Sequence, residues 1–216
     1  RQTLFASFLS HLPPGPVLDI GCKDGEMTYA LANLLPRQPV TGLDISPAYI
    51  ERCRQHYQRD NLSFLVGDAE RTDFPAGSFS AILGNAVLHH LRMKPAFREF
   101  HRLLQDGGIL LFAEPNLRNP HIFLEHSIPF LKYLAGDTPR ERPSSASYLS
   151  RQLSSCGFRL LELRPFDFCH PLLPGLLMPL MLRAQNLLER TPLLRQLGGS
   201  LWIAAVRQER KRWIHS

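Results

Sequence analysis

The sequence predicts an α/β fold with a doubly wound parallel sheet. Two observations carry that prediction. Short apolar runs alternate with helical patterns five times between Val17 and Ala113, the signature of strands joined by crossover helices. The fifth run, Ile109-Leu110-Leu111-Phe112-Ala113, holds no polar residue, as a strand covered on both faces requires.

The elements follow in order. Val17-Leu18-Asp19-Ile20 is the first strand, and a turn containing Gly21 and Gly25 follows it. A helical pattern then runs through Leu35. Val40–Asp44 reads as the second strand. Ser46-Pro47 is an N-cap with proline at the first helical position, and it opens a helix that ends near Tyr57. Leu62–Val66 is the third strand, followed by Gly67-Asp68, and Phe79–Leu83 is the fourth. Pro95–Leu104 reads as a helix stopped by Asp106-Gly107-Gly108, ahead of the fifth strand. The pattern then changes. Residues 119–135 are apolar and aromatic. A helix from Ser145 to Cys156 ends at Gly157, and Arg159–Phe168 and Ser200–Val206 read as two more strands around a Leu/Pro-rich insert. No repeat or low-complexity tract divides the chain, so one domain spanning 1–216 is expected.

Composition narrows the class. Of 216 residues, 44% are hydrophobic and 20% charged, values ordinary for a globular protein that exclude wholesale disorder. The longest apolar stretch, Leu172–Leu182, is broken by Pro174, Gly175 and Pro179 and is too short to span a bilayer. No basic stretch leading into an apolar one opens the chain, so no secretory signal is expected. The chain begins at Arg1 rather than Met, which leaves room for a preceding segment. Cys22, Cys53, Cys156 and Cys169 form neither a C-x-x-C pair nor zinc-ligand spacing. Reduced thiols, a cytoplasmic location and no metal are therefore expected. The net charge is +6, but the basic residues are scattered, with the densest cluster at Arg207, Arg210, Lys211 and Arg212. No basic groove interleaved with aromatics appears, so nucleic acid is not an expected partner. Nothing in the sequence bears on oligomeric state.

In open α/β sheets, ligands sit beyond the carboxyl ends of the strands. A dinucleotide fingerprint, G-x-G-x-x-G, counted from Gly21 meets Gly21, Lys23 and Glu26, one match in three. The pattern D/E-x-G-x-G-x-G meets Asp19, Gly21, Lys23 and Gly25, three matches in four. That second pattern goes with S-adenosyl-L-methionine, which has no phosphate to cradle but has a cationic amino-acid end, a ribose and an adenine. Asp19 suits the amino group, Asp44 both ribose hydroxyls, and Asp68 the adenine amino group. Gly21 lets the backbone approach. Each carboxylate has an alternative as a solvated loop residue or helix cap, but the three end three successive strands.

These residues resemble the class I S-adenosylmethionine-dependent methyltransferases, most closely the small-molecule, type 11 group that includes quinone-biosynthesis enzymes. The matching stretches are Val17-Leu-Asp-Ile-Gly-Cys22, Gly42-Leu-Asp-Ile-Ser46, Gly67-Asp-Ala69, Asn85-Ala-Val-Leu-His-His90 and Gly107-Gly108. The resemblance implies a Rossmann-like seven-stranded sheet with the last strand antiparallel. It also implies a cofactor-binding core at 16–116, acceptor segments and C-terminal strands at 117–207, and cofactor contacts that include Cys22, Ile45, Ala69 and Asn85. Two positions depart from the pattern. Ser80 stands where the family often has Asp, inside the fourth strand. Lys23 replaces the middle glycine. It is expected to take an ordinary backbone angle with its side chain outward, to set its ammonium against the methionine carboxylate, or to weaken cofactor binding.

The resemblance leaves the acceptor open. His89 and His90 follow the fourth strand, and one of them can serve as a base; His90 is preferred, against the reading that the pair packs the turn. Glu114 can bind an acceptor group or partner the base, or can cap the following helix. His121 and His126 fit surface or lid positions better than metal ligation. Residues 119–135 and 172–197 are more apolar than cover segments need, which points to a small hydrophobic acceptor, with membrane-surface contact ranked below it. The expected reaction is methyl transfer, O-methylation first. The rival is a non-catalytic cofactor-binding module or partner subunit, supported by Lys23 alone, and a nicotinamide oxidoreductase ranks third.

Overall fold

Seven strands form one sheet in a computed structural model that describes residues 12–128, 145–168 and 190–208, with Phe5, Phe8, Pro179, Arg183, Leu187 and Leu188 as separate positions. The strands are β1 (Val17–Ile20), β2 (Val40–Asp44), β3 (Leu62–Val66), β4 (Phe79–Asn85), β5 (Leu104–Pro115), β6 (Phe158–Phe166) and β7 (Ser200–Arg207). Their order is β3-β2-β1-β4-β5-β7-β6. The first five are mutually parallel, and β7 runs antiparallel between β5 and β6. The described helices are α1 (Glu26–Leu34), α2 (Pro47–His56), α3 (Met93–Leu103), α4 (Pro120–Ser127), α5 (Ala146–Ser155) and α6 (Pro192–Arg195), with a 3-10 turn at Leu88–His90. The expected Rossmann-like α/β sheet with its antiparallel insertion is the fold observed.

The period-two alternation of the strands builds two cores, one on each face. Leu18, Ile20, Ile82, Leu110 and Phe112 bury one way, under α3 and α5. Val17, Ala81, Leu83, Leu111 and Ala113 bury the other way, with α1 and Trp202. Asp19 lies between Leu18 and Ile20 and so shares the α1 face with Val17. On α3, Met93, Ala96, Phe97, Phe100 and Leu103 recur at helical spacing and are all buried, and Phe100 stacks on Phe112 of β5 at 5.7 Å. Ser46 caps α2 as expected, its hydroxyl accepting from the Tyr49 N–H at 3.4 Å with Pro47 in the first turn.

Several boundaries differ from the sequence reading: α3 begins at Met93 instead of Pro95, and β6 covers Phe158–Phe166 instead of Arg159–Phe168. β4 continues to Asn85. β5 begins at Leu104, so Asp106-Gly107-Gly108 lies inside the strand instead of ahead of it. The physical reason is a bulge: the β4–β5 register jumps between Phe79 and Ala81, and Gly107 takes φ +74 to absorb the extra residues. Among the described residues, no helix is long and apolar enough to cross a membrane.

Candidate active site

β1 is flanked by β2 on one side and β4 on the other, the point where strand order reverses and an open sheet leaves a crevice. Two adjoining cavities of about 360 Å³ each lie there and share Gly21, Lys23 and Ala86. Asp44, Ile45, Asp68, Ala69 and His90 line the first. Asp19, Cys22, Asn85 and Phe5 line the second. The structure thus brings the predicted cofactor residues together around one crevice, apart from Gly25, which lies behind the loop. Ile45 is 73% exposed at the mouth of its cavity.

Backbone geometry explains the glycine spacing. Gly21 has φ +67, and a Cβ there would lie 2.5 Å from Val87 Cγ2. Gly25 has φ +80 at the start of α1, where a Cβ would meet Cys53 Sγ at 2.8 Å. Lys23 corrects one expectation. Its φ is +48, the left-handed region a glycine would occupy, and not an ordinary angle. That conformation aims its backbone N–H at Asp44 Oδ2, 2.9 Å away.

The carboxylates are held differently. Asp44 accepts from the Lys23 N–H through Oδ2 and from the Ser46 N–H through Oδ1, each at 2.9 Å, which fixes the side chain and leaves a lone pair on each oxygen. Asp68 accepts from the Glu70 N–H at 2.8 Å. Asp19 is fully buried. The Thr28 hydroxyl donates to its Oδ2 at 2.7 Å, while Oδ1 is buried with no hydrogen-bond partner. Burial pushes the Asp19 carboxyl up to about 7, opposed by the Thr28 hydrogen bond and reinforced by the Asp44 charge. Burial likewise pushes the Cys22 thiol up, which makes it unreactive.

Glu114 projects from β5 and is 4% exposed. Its Oε1 accepts from the Val87 and Leu88 N–H groups at 2.8 Å each, and its Oε2 lies 2.8 Å from His89 Nδ1 and 3.4 Å from the His89 N–H. It caps the turn after β4, not the following helix, and it partners His89. His89 and His90 lie ring against ring at 4.1 Å, with His90 on the cavity wall. Thr28 and Phe5 escaped the sequence reading. Thr28 had a signal, a polar residue on the buried face of α1 beside Leu31 and Ala32. Phe5 had none.

The acceptor side is described in part. Phe123 and Leu124 of α4 are 53% and 52% exposed, and Leu193 of α6 is 83% exposed. His121 is exposed. The side chain of His126, residues 129–135, and Met178 with most of 172–189 lie outside the described residues. No cluster of three or more metal-ligating side chains occurs among the described residues.

Residues 18–112 match the family model described as a methyltransferase domain. Over that stretch the chain is similar to methyltransferase domains. It is 31% identical over 174 residues to a 2-methyl-6-phytyl-1,4-hydroquinone methyltransferase of Synechocystis sp., covering 77% of this chain and 54% of the relative. It is 34% identical over 115 residues to a malonyl-(acyl-carrier protein) O-methyltransferase of Paenibacillus sp., covering 50% and 41%. The chain spans about half the length of the first curated relatives it matches. The solved YcgJ protein of Bacillus subtilis superposes with a TM-score of 0.68 at 20% identity, covering 97% of this chain and 98% of that one; this likeness is one of fold.

The methyltransferase family and fold imply S-adenosyl-L-methionine as cofactor, and the residues present fit it. The unused oxygen of Asp19 suits an ammonium, the pinned Asp44 suits a diol, and the missing side chain at Gly21 lets the backbone pack against Val87 on the cavity wall.

Proposed function

We propose that the protein transfers a methyl group from S-adenosyl-L-methionine to a small, largely hydrophobic acceptor, with a hydroxyl oxygen as the first-choice nucleophile. The observation that carries this reading is the buried Glu114–His89 pair, whose imidazole lies 4.1 Å from the ring of His90 on the wall of the Asp44 cavity. When bound, the cofactor supplies an activated methyl on a sulfonium centre.

The chain's own residues do the rest. Asp44 accepts from a vicinal diol, and Asp19 pairs with an ammonium in a site where low dielectric strengthens the attraction. Glu114 accepts the His89 Nδ1–H, so the Nε2 lone pair is the one available to take a proton from an acceptor hydroxyl. Three backbone N–H groups hold the Glu114 carboxylate in position against that ring. His90, on the cavity wall, orients the acceptor.

The hydrophobic class of acceptor is supported by the exposed Phe123, Leu124 and Leu193 beside the carboxyl end of β5 and by the prenylated hydroquinone in one relative's name. O-methylation is supported by another's. A cytoplasmic location with a small-molecule partner fits the same reading, with membrane-surface contact secondary to it. Isothermal titration with the cofactor, followed by transfer of a labelled methyl to a panel of hydroquinones, phenols, carboxylic acids and amines, tests it. Binding with no product from any acceptor favours a binding-only module. A folded protein that binds no cofactor defeats both readings.

A further inference from the structure

The walls of the Asp19 cavity come from two neighbouring stretches of the core, with one exception. Asp19 of β1, the turn after it without Gly25, and Glu26 and Met27 at the start of α1 form one stretch, and Asn85 and Ala86 at the end of β4 form the other. Phe5 comes from neither. It is only 2% exposed although it stands near the start of the chain. Its ring meets the indole of Trp202 edge to face at 5.0 Å and 78°. Phe8 packs on the same indole at 5.2 Å, and Phe166 closes a further side at 6.5 Å. Trp202 is fully buried, and its Nε1 has no hydrogen-bond partner, as in a site closed to water.

We propose that Phe5, seated on Trp202, is a positioning residue that walls the lobe receiving the amino-acid end of the methyl donor and keeps water from Asp19. The proposal rests on the functional reading above. The ring supplies no polar contact. It shields the unused Asp19 oxygen, so that an incoming ammonium meets a dry carboxylate in place of a hydrated one. The edge-to-face contact fixes the ring's position, because the indole beneath it cannot move without opening the core. Phe5 does not line the cavity of Asp44, Ile45 and Asp68. Its contribution therefore belongs to the amino-acid end of the ligand and not to the nucleoside.

That separation supplies the test. S-adenosyl-L-methionine and methylthioadenosine, which lacks the amino-acid end, are titrated into wild type, Phe5→Ala and Phe5→Leu. Phe5→Ala should bind S-adenosyl-L-methionine about tenfold more weakly and methylthioadenosine within about twofold of wild type. Phe5→Leu, which restores apolar bulk, should recover most of the difference. Equal losses for both ligands would mean that Phe5 only supports the fold, and no loss for either would remove it from the site. Should Phe5→Ala fail to fold, the ratio of the two affinities in Phe5→Val, which removes the ring and keeps an apolar cover on Trp202, decides: an unchanged ratio overturns the proposal, and a ratio shifted against S-adenosyl-L-methionine sustains it. Wild type that binds neither ligand defeats the functional reading and this proposal with it. Wild type that binds both equally defeats the proposal alone.

Discussion

Asp19 on β1 and Glu114 on β5 are both buried acids at the site end of the sheet, yet they are satisfied to opposite extents. Glu114 accepts three backbone N–H groups and pairs with a histidine. Asp19 has one hydroxyl partner and an oxygen with none. A buried carboxylate that is fully partnered holds its own protein together. One left partly unpartnered lowers stability until something else completes it. The difference separates the region built to position a base from the region built to receive a ligand, and substitutions on the two sides should move stability in opposite directions.

The largest effect is expected at Glu114. Glu114→Ala strands the buried N–H groups of Val87 and Leu88 and releases His89, and should lower folding stability by about 4 kcal/mol. Glu114→Gln keeps an acceptor for the two N–H groups but loses the charge beside His89. It should unfold only slightly earlier in denaturant while turnover of a weakly acidic hydroxyl acceptor falls far more. Denaturant unfolding on both variants, set beside their kinetics, checks the pair. Equal midpoints for Glu114→Ala and wild type would contradict the role assigned here.

Asp19→Asn should do the reverse. The folded protein holds the Asp19 proton up to about 7, above the usual 3.8, so the folded state binds that proton more tightly than the unfolded chain. The stability this provides is fully present below about pH 3.8 and is lost as pH rises through about 7. Above that pH, the neutral amide should make the empty protein more stable by about 3 kcal/mol, with the gain shrinking on acidification. Binding of S-adenosyl-L-methionine should weaken by more than tenfold, because the ammonium loses its anion. In wild type, affinity should rise across the window in which Asp19 ionises. Melting curves at about pH 5 and about pH 8, with and without ligand, would expose a failure of either sign.

Asp44 lies between these extremes, with two backbone donors and two lone pairs to spare. Asp44→Ala should reduce cofactor affinity by roughly tenfold to a hundredfold, about 2 kcal/mol, through the lost diol contact. Asp44→Asn should recover part of it. Unchanged titration curves for a folded Asp44→Ala protein would overturn the cofactor assignment.

The parallel core was legible because each strand announced itself twice, as an apolar run and as the element before a polar strand end. Asp19, Asp44 and Asp68 could be located from that register alone. The antiparallel place of β7 came from the resemblance and not from its own residues, since Ser200–Val206 reads as a strand of either direction. The role of Glu114 was out of reach. Its partners Val87, Leu88 and His89 lie 25 to 27 residues earlier, and backbone N–H groups have no letter in a sequence. The start of β5 was misjudged because Asp-Gly-Gly marks a helix stop and a bulge alike. Thr28 could have been found, because a lone hydroxyl on a buried helix face needs an acceptor, and Asp19 lies on the facing strand.

The smallest effect is expected at Lys23, where a lysine holds a backbone conformation that favours glycine. A left-handed backbone costs a residue with a Cβ about 1 kcal/mol relative to glycine, yet the chain adopts it with lysine in place. The gain is the hydrogen bond from the Lys23 N–H to Asp44 Oδ2, which holds the acceptor of the diol in position. If the backbone alone does this work, Lys23→Gly should keep that bond and relieve the strain, while adding freedom to the unfolded chain. The two changes nearly cancel. Stability should move by less than about 1 kcal/mol, and cofactor affinity should stay within about threefold of wild type. The side chain is exposed, so an ammonium set against the ligand's carboxylate would give a different result: affinity would drop by about tenfold in Lys23→Gly, and the drop would shrink at high salt. Titration at two ionic strengths separates a lysine that merely occupies glycine's conformation from one that contributes a contact of its own.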